Sequence, residues 1–176
     1  MTDDRPFILT LKLDERSQAF FDGMRERHFP PERNFIGAHV TLFHALQGRF
    51  TDDLASDIAD AAGDHAPFAV RVKKLRSLGR GVAYVLESEE LSVLRGRLAK
   101  KWRPYLTAQD AEKFSPHATV QNKVAPERAK RLLLELEATF EPFDVLAGGL
   151  LLWRYTGGPW EFVQEFGFDG GSGSRA

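Results

Sequence analysis

The chain repeats itself. From His39 it runs HVTLFHAL, then a helical stretch, then APFAVRVKKLRSLGRGVAYVLES; from His117 it runs HATVQNKV, another helical stretch, then EPFDVLAGGLLLWRYTGGPWEFVQEF. Each half reads strand, helix, Pro-Phe, long strand, glycine-containing turn, strand. Pro67 follows His39 by 28 residues and Pro142 follows His117 by 25. A duplicated βαββ unit is the simplest source of this pattern, and it restricts the fold to two similar lobes closing on one groove, each too slight to bury its apolar face alone. The β-rich runs are Phe7–Leu13, His39–Ala45, Phe68–Leu75, Val82–Glu87, His117–Val124, Phe143–Tyr155 and Trp160–Phe168, with helical periodicity over Asp14–His28, Asp52–Asp64, Glu89–Arg103 and Pro126–Phe140. This mixture is α+β. A chain of 176 residues suits a single domain over 1–168, with lobes at about 7–88 and 89–168 that are free to exchange strands. Residues 169–176 have the composition of a flexible linker.

The most specific element of the repeat is His39-Val40-Thr41-Leu42, which returns as His117-Ala118-Thr119-Val120. With five histidines in the chain, two matches to His-x-Thr-apolar are a chance event of roughly half a percent, before their equivalent positions are considered. Strand alternation sends His39 and Thr41 to one face and Val40 and Leu42 to the other, and likewise pairs His117 with Thr119. Packed about a pseudo-twofold axis, the two strands present two imidazoles and two hydroxyls to a shared groove. That set suits phosphoryl chemistry. A neutral imidazole deprotonates an attacking hydroxyl or water, an imidazolium protonates the departing alkoxide, and the hydroxyls hold the non-bridging oxygens.

Composition narrows the alternatives. The chain has no cysteine, which removes thiolate nucleophiles, disulfides and cysteine-based metal sites together. It contains no Walker loop, GxSxG or HExxH, and neither motif has a carboxylate at metal-ligand spacing, so no cofactor and no metal are expected. The start MTDDRPFILTLKL is acidic before it is apolar, and no stretch is long and apolar enough to span a membrane; a cytoplasmic protein without a membrane partner is expected.

The paired motifs, the duplicated α+β layout and the size resemble the 2H phosphoesterase superfamily, which includes 2′-5′ RNA ligase-like proteins and RNA 2′,3′-cyclic phosphodiesterases. The resemblance implies a bilobal fold in which two pseudo-symmetric lobes, each with an antiparallel sheet and outer helices, face one another across a central cleft. It further implies metal-independent action on cyclic or 2′-5′ phosphodiesters, with an RNA end or cyclic nucleotide as substrate. A monomer without an obligate protein partner is expected. Carried onto this chain, it implies His39 as acid, His117 as base, and Thr41 and Thr119 as phosphate binders. Some relatives have an arginine shortly after the second motif, where this chain reads Gln121-Asn122-Lys123; strand parity puts Gln121 and Lys123 on the catalytic face, with Lys123 a candidate to supply the charge.

Other residues are open to two readings. His44 falls on the opposite parity from His39 and reads as structural. His28 and His65 sit at helix ends, where a cation is favourable. Residues 71–103 carry a local charge of +7 and residues 51–66 one of −5; the basic stretch either steers an RNA end, with Tyr84 or Trp102 stacking a base, or forms solvated faces. Trp153 suits the core and Trp160 the cleft rim. Two further functions share the same residues: a nucleotide or RNA-end binding module without turnover, and a phosphodiesterase for a non-RNA cyclic phosphate such as an ADP-ribose derivative.

Overall fold

A computed structural model of the chain describes residues 3–47 and 51–170, with the side chains of Thr51 and Asp52 outside that description. The expected flexible tail lies outside the described residues from position 171 onward. The elements in chain order are β1 (Phe7–Leu13), α1 (Glu15–His28), β2 (Thr41–Leu46), α2 (Thr51–Gly63), β3 (Phe68–Ser77), β4 (Val82–Glu87), α3 (Glu89–Trp102), α4 (Ala108–Ala111), β5 (His117–Gln121), α5 (Pro126–Thr139), β6 (Phe143–Arg154) and β7 (Glu161–Gly167). Local chemistry sets several of these limits. The Asp14 carboxylate accepts the backbone N–H of Ser17 and the Ser88 hydroxyl that of Leu91, capping α1 and α3, while Pro126 occupies the first turn of α5, where its missing N–H costs nothing.

The described strands form one antiparallel sheet in the order β2-β1-β6-β3-β4-β5, with β7 also on β6. The 12-residue β6 makes this possible. Its later half pairs with β1 on one edge and β7 on the other, and its earlier half pairs with β3 on the β7 side; Ala147 faces both Leu13 and Phe68 at the changeover. The two sheets implied by the family resemblance are therefore joined through a shared strand. One half of the sheet is β2, β1, β6 and β7, and the other is β6, β3, β4 and β5, so each draws strands from both halves of the sequence. β1 is buried almost throughout rather than on alternate residues, because neighbours cover both of its faces.

The sheet is curled until its ends meet. β2 and β5 terminate the strand order, yet Val40, just before β2, forms an antiparallel bridge with Ala118 of β5. Val40 and Ala118 are both fully buried, as are Leu42, Phe43 and Val120 around them.

The approach of the β3–β4 turn to β5 depends on a missing side chain. A Cβ at Gly81 would lie 1.9 Å from the carbonyl oxygen of Gln121. Gly81→Ala is expected to destabilise the protein by about 1–3 kcal/mol, the range for overpacking that forces backbone to move. Gly96→Ala, in the exposed middle of α3 with nothing within 4 Å of the new Cβ, is expected to stabilise it by up to about 1 kcal/mol through helix propensity. Urea denaturation of the two variants checks both signs.

Candidate active site

The bridge between Val40 and Ala118 sets the register of the two motifs. With the middle residues paired antiparallel, His39 lies across from Thr119 and Thr41 across from His117, and all four face away from the core that holds Val40 and Ala118. These four residues line one cavity of about 210 Å³ with Ile8, His44 and Trp160. The histidines are set alike: Nδ1 of His39 donates to the Gly37 carbonyl and Nδ1 of His117 to the Ser115 carbonyl, each at 2.9 Å. A carbonyl only accepts, so both rings carry the proton on Nδ1 and keep Nε2 for chemistry.

Helices from the opposite repeat hold these strands. Arg25 of α1, buried with its guanidinium 4.0 Å above the Phe29 ring, donates through Nη1 to the Thr119 carbonyl at 3.1 Å and through Nε to Asn34 Oδ1 at 3.0 Å. Arg95 of α3, buried over Phe43, donates through Nε to the Leu42 carbonyl at 3.2 Å. The segment entering the first motif is held from α1 as well, by Asp22 accepting the Ala38 N–H at 2.7 Å and Gln18 donating to the Ala38 carbonyl at 2.8 Å.

Both groove histidines favour their neutral forms. Burial pushes His39 down to about 4, with further lowering by the charges of Arg25, His117 and His44 and a partial recovery from the bond to Gly37. Burial lowers His117 too, aided by Arg76 and His44 and opposed by the bond to Ser115. An anion between the rings acts in the opposite sense, because an opposite charge nearby favours the protonated imidazole. The groove is thus tuned to take up a proton together with a negatively charged ligand.

Trp160 joins the groove, its ring 4.6 Å from that of His39, and both residues also line a larger adjoining cavity of about 610 Å³ with Phe35, Ile36 and Trp153. The other candidates are corrected. Gln121 is 2% exposed and Tyr84 4% exposed, the latter within an aromatic cluster with Phe20, Phe21 and Phe140, so neither reaches a ligand. Lys123 lies past the end of β5 with φ of 62°, is exposed, and does not line the groove. Trp102 is buried beside Phe43 and donates to Asp57.

The reason for the Gln121 misplacement also uncovers His44, which simple alternation had assigned to structure. Thr10 pairs with Thr41 but Leu9 with Phe43, leaving Leu42 as an extra residue; Ala83 pairs with Thr119 but Val82 with Gln121, leaving Val120 extra. Each strand therefore bulges immediately after its threonine, and alternation reverses there. Gln121 turns into the core and His44 turns out into the groove. The readable sign of this was the doublet Leu42-Phe43, two large apolar residues that cannot both face the core in an unbroken strand.

Four of the ten cations of the basic stretch are paired with carboxylates. Arg71 pairs with Asp144, Lys73 with Glu87, Arg97 with Asp64 and Lys101 with Asp57, so the acidic run on α2 meets the basic α3. A third bulge, at Lys73, leaves Lys74 in line with Val85 and His117, and Arg76 in line with Ala83 and Thr119. Those two cations share the sheet face of the second motif, two strands or roughly 10 Å away. Arg76 donates to Ser115 Oγ at 3.2 Å.

The model of the 2′-5′ RNA ligase superfamily matches residues 13–159. The chain belongs to that superfamily. Its fold is shared by several solved structures. TT0787 of Thermus thermophilus superposes with a TM-score of 0.67 at 18% identity, covering 94% of this chain and 99% of that one. Escherichia coli LigT complexed with 3′-AMP gives 0.62 at 16%, covering 95% and 99%. Escherichia coli LigT complexed with phosphate gives 0.56 at 17%, covering 94% and 98%. No curated protein matches the chain by sequence. Membership in the 2′-5′ RNA ligase superfamily makes phosphodiester bonds the class of bond on which this protein acts. No helix among the described residues is long and apolar enough to cross a membrane.

In this superfamily member the brace at Arg25 carries both structure and electrostatics. Arg25→Met leaves the Thr119 carbonyl and Asn34 Oδ1 without their donor, at an expected cost of about 1–3 kcal/mol in urea unfolding. It also removes a charge that lowers His39. The His39 ring is accordingly expected to titrate at higher pH in the variant, read from its imidazole NMR shifts.

Proposed function

We propose that the protein is a metal-independent phosphodiesterase that opens 2′,3′-cyclic phosphate ends of RNA or nucleotides to a 2′-phosphate. The observation that carries this reading is the facing pair His39–Thr119 and Thr41–His117 around one groove, the two halves of an acid–base catalyst with hydroxyl donors between them. Nε2 of His117 takes a proton from water as its oxygen attacks phosphorus, the bond from phosphorus to O3′ breaks, and Nε2 of His39 delivers a proton to that leaving oxygen. The product carries a 2′-phosphate and a free 3′-hydroxyl. If a 5′-hydroxyl takes the place of water, the same steps form a 2′-5′ phosphodiester, which makes ligation the companion reaction. Thr41 and Thr119 hold the non-bridging oxygens, and the anionic phosphate draws onto His39 the proton that burial alone disfavours.

The adjoining cavity supports a nucleoside next to the reacting phosphate. Its volume of about 610 Å³ falls in the range of small-molecule sites, and Trp160 bridges it to the phosphate groove with a face on which a base can stack. Escherichia coli LigT, of the same fold, takes 3′-AMP and phosphate as ligands. Lys74 and Arg76, on the sheet face of the second motif, favour an RNA strand over an isolated cyclic nucleotide, since they extend positive charge beyond the reacting group.

A 2′,3′-cyclic dinucleotide incubated with the protein in excess EDTA is expected to yield the 2′-phosphate, with His39→Ala and His117→Ala each reducing kcat by about 100-fold or more, the range for losing a general acid or base. Absence of product, or full activity in either variant, would refute the reading. The pH profile of kcat/KM is a second check. One imidazole must be protonated and the other neutral, and both are shifted down, His39 to about 4 and His117 below 6.5. The bell is therefore expected to peak on the acidic side of 6.5, and a maximum above pH 7 would contradict the assignment.

A further inference from the structure

The groove has an unmet electrostatic need. Its lining is Ile8, His39, Thr41, His44, His117, Thr119 and Trp160, with no lysine or arginine among the described residues. A reacting phosphodiester gathers negative charge on its non-bridging oxygens, and stabilising that charge is commonly the largest single contribution to such catalysis. Two neutral hydroxyls supply hydrogen bonds without charge, and the two motif histidines are committed to moving protons.

His44 is held in the same groove by a buried carboxylate that also pins the bulged strand carrying it. Asp110 of α4 is 1% exposed. Its Oδ1 accepts the backbone N–H of His44 at 2.7 Å and lies 3.2 Å from His44 Nδ1, while Oδ2 accepts the Ala45 N–H at 2.9 Å. Burial works to raise this carboxyl, but the bonds from the His44 ring and from the two amides hold it below its ordinary value. Arg95 locks the arrangement from behind, donating to the Asp110 carbonyl at 2.5 Å and to Leu42, with Phe114 and Phe43 against its guanidinium. A buried carboxylate costs several kcal/mol unless paired, and this one is committed to fixing a bulged strand and one imidazole.

We propose that His44, oriented by Asp110, is a third phosphate-binding residue of the groove, presenting an imidazolium Nε2–H to a non-bridging oxygen while Asp110 accepts Nδ1–H. This rests on reading the groove as a phosphate site and adds to it a positive charge that is not given up in proton transfer. Asp110 is a positioning residue, acting only through the ring. The groups facing His44 are the Asp110 carboxylate, 3.2 Å from Nδ1, which favours the imidazolium, and His39 and His117, whose charged forms oppose it. In the free groove both favour their neutral forms, and once the phosphate has drawn a proton onto His39 the phosphate's own charge offsets that repulsion.

The test uses the full chain and inorganic phosphate as the probe, titrated by NMR or calorimetry, alongside kcat and KM for a 2′,3′-cyclic nucleotide and thermal melting of every variant. His44→Gln is expected to weaken phosphate binding and kcat/KM by about 10- to 100-fold, the scale of one charged hydrogen bond. His44→Lys should recover part of both. Asp110→Asn should weaken phosphate binding in the wild-type background but cause no further loss when combined with His44→Gln. Should Asp110→Asn fail to fold, the half-exposed His44 variants decide alone. Phosphate affinity unchanged in His44→Gln overturns the proposal, whatever its melting temperature; so does a loss that His44→Lys leaves unrepaired. A protein that binds phosphate through His44 yet turns over no cyclic phosphate would refute the proposed reaction while upholding this inference.

Discussion

The molecule depends on one backbone bridge. Val40 and Ala118 join the two ends of a sheet that otherwise runs β2-β1-β6-β3-β4-β5, and this closure makes a groove out of what would be two exposed edges. An antiparallel pair has a local twofold axis through its centre, so two copies of one motif paired at their middle residues must present the same side chains in mirrored order. The matching bonds of His39 and His117 to the carbonyl two residues earlier, and the matching bulges after Thr41 and Thr119, follow from that symmetry. Small and β-branched residues at the bridge allow the strands to meet while filling the space beneath them.

A closure made of a single bridge leaves carbonyls beside it without ladder partners, and buried backbone oxygens need a donor. The two arginines answer this requirement crosswise. Arg25, which precedes the first motif, caps the Thr119 carbonyl of the second; Arg95, which precedes the second, caps the Leu42 carbonyl of the first. Together with β6, which serves both halves of the sheet, these braces interlock the repeats, so that neither half of the sequence contains a complete groove. A guanidinium suits the position because it offers several donors in a fixed plane and packs its face on Phe29 or Phe43.

Much of this was legible in the sequence. The seven strands and the four long helices lie within a few residues of their periodic signals, and His39, Thr41, His117 and Thr119 meet where the repeat and strand parity place them. Failures begin where parity is broken. A bulge has no residue type of its own, so alternation counted past Thr41 hides His44, and alternation counted past Thr119 exposes Gln121 and carries Lys123 onto the wrong surface. Tyr84 was unreadable for another reason: Val82-Ala83-Tyr84-Val85-Leu86 is apolar throughout and offers no parity to count. The charge runs misled because α2 and α3 lie far apart in sequence but pack together, so that Asp57 and Asp64 meet Lys101 and Arg97.

The symmetry is also where the two halves differ. The outward position after the first bulge is His44, and the equivalent position after the second is Asn122, whose side chain accepts the amide of Lys123 beside it. Duplication supplies the paired catalyst, but departure from it is needed to tell one side of the groove from the other. A permanent cation such as arginine at His44 would depress the neighbouring imidazoles whether or not a ligand were present. A histidine backed by Asp110 instead offers one oriented Nε2 to the groove without a long cationic side chain beside the two motif rings. Because burial holds His39 and His117 toward their neutral forms, the proton required for the reaction arrives together with the anion that uses it.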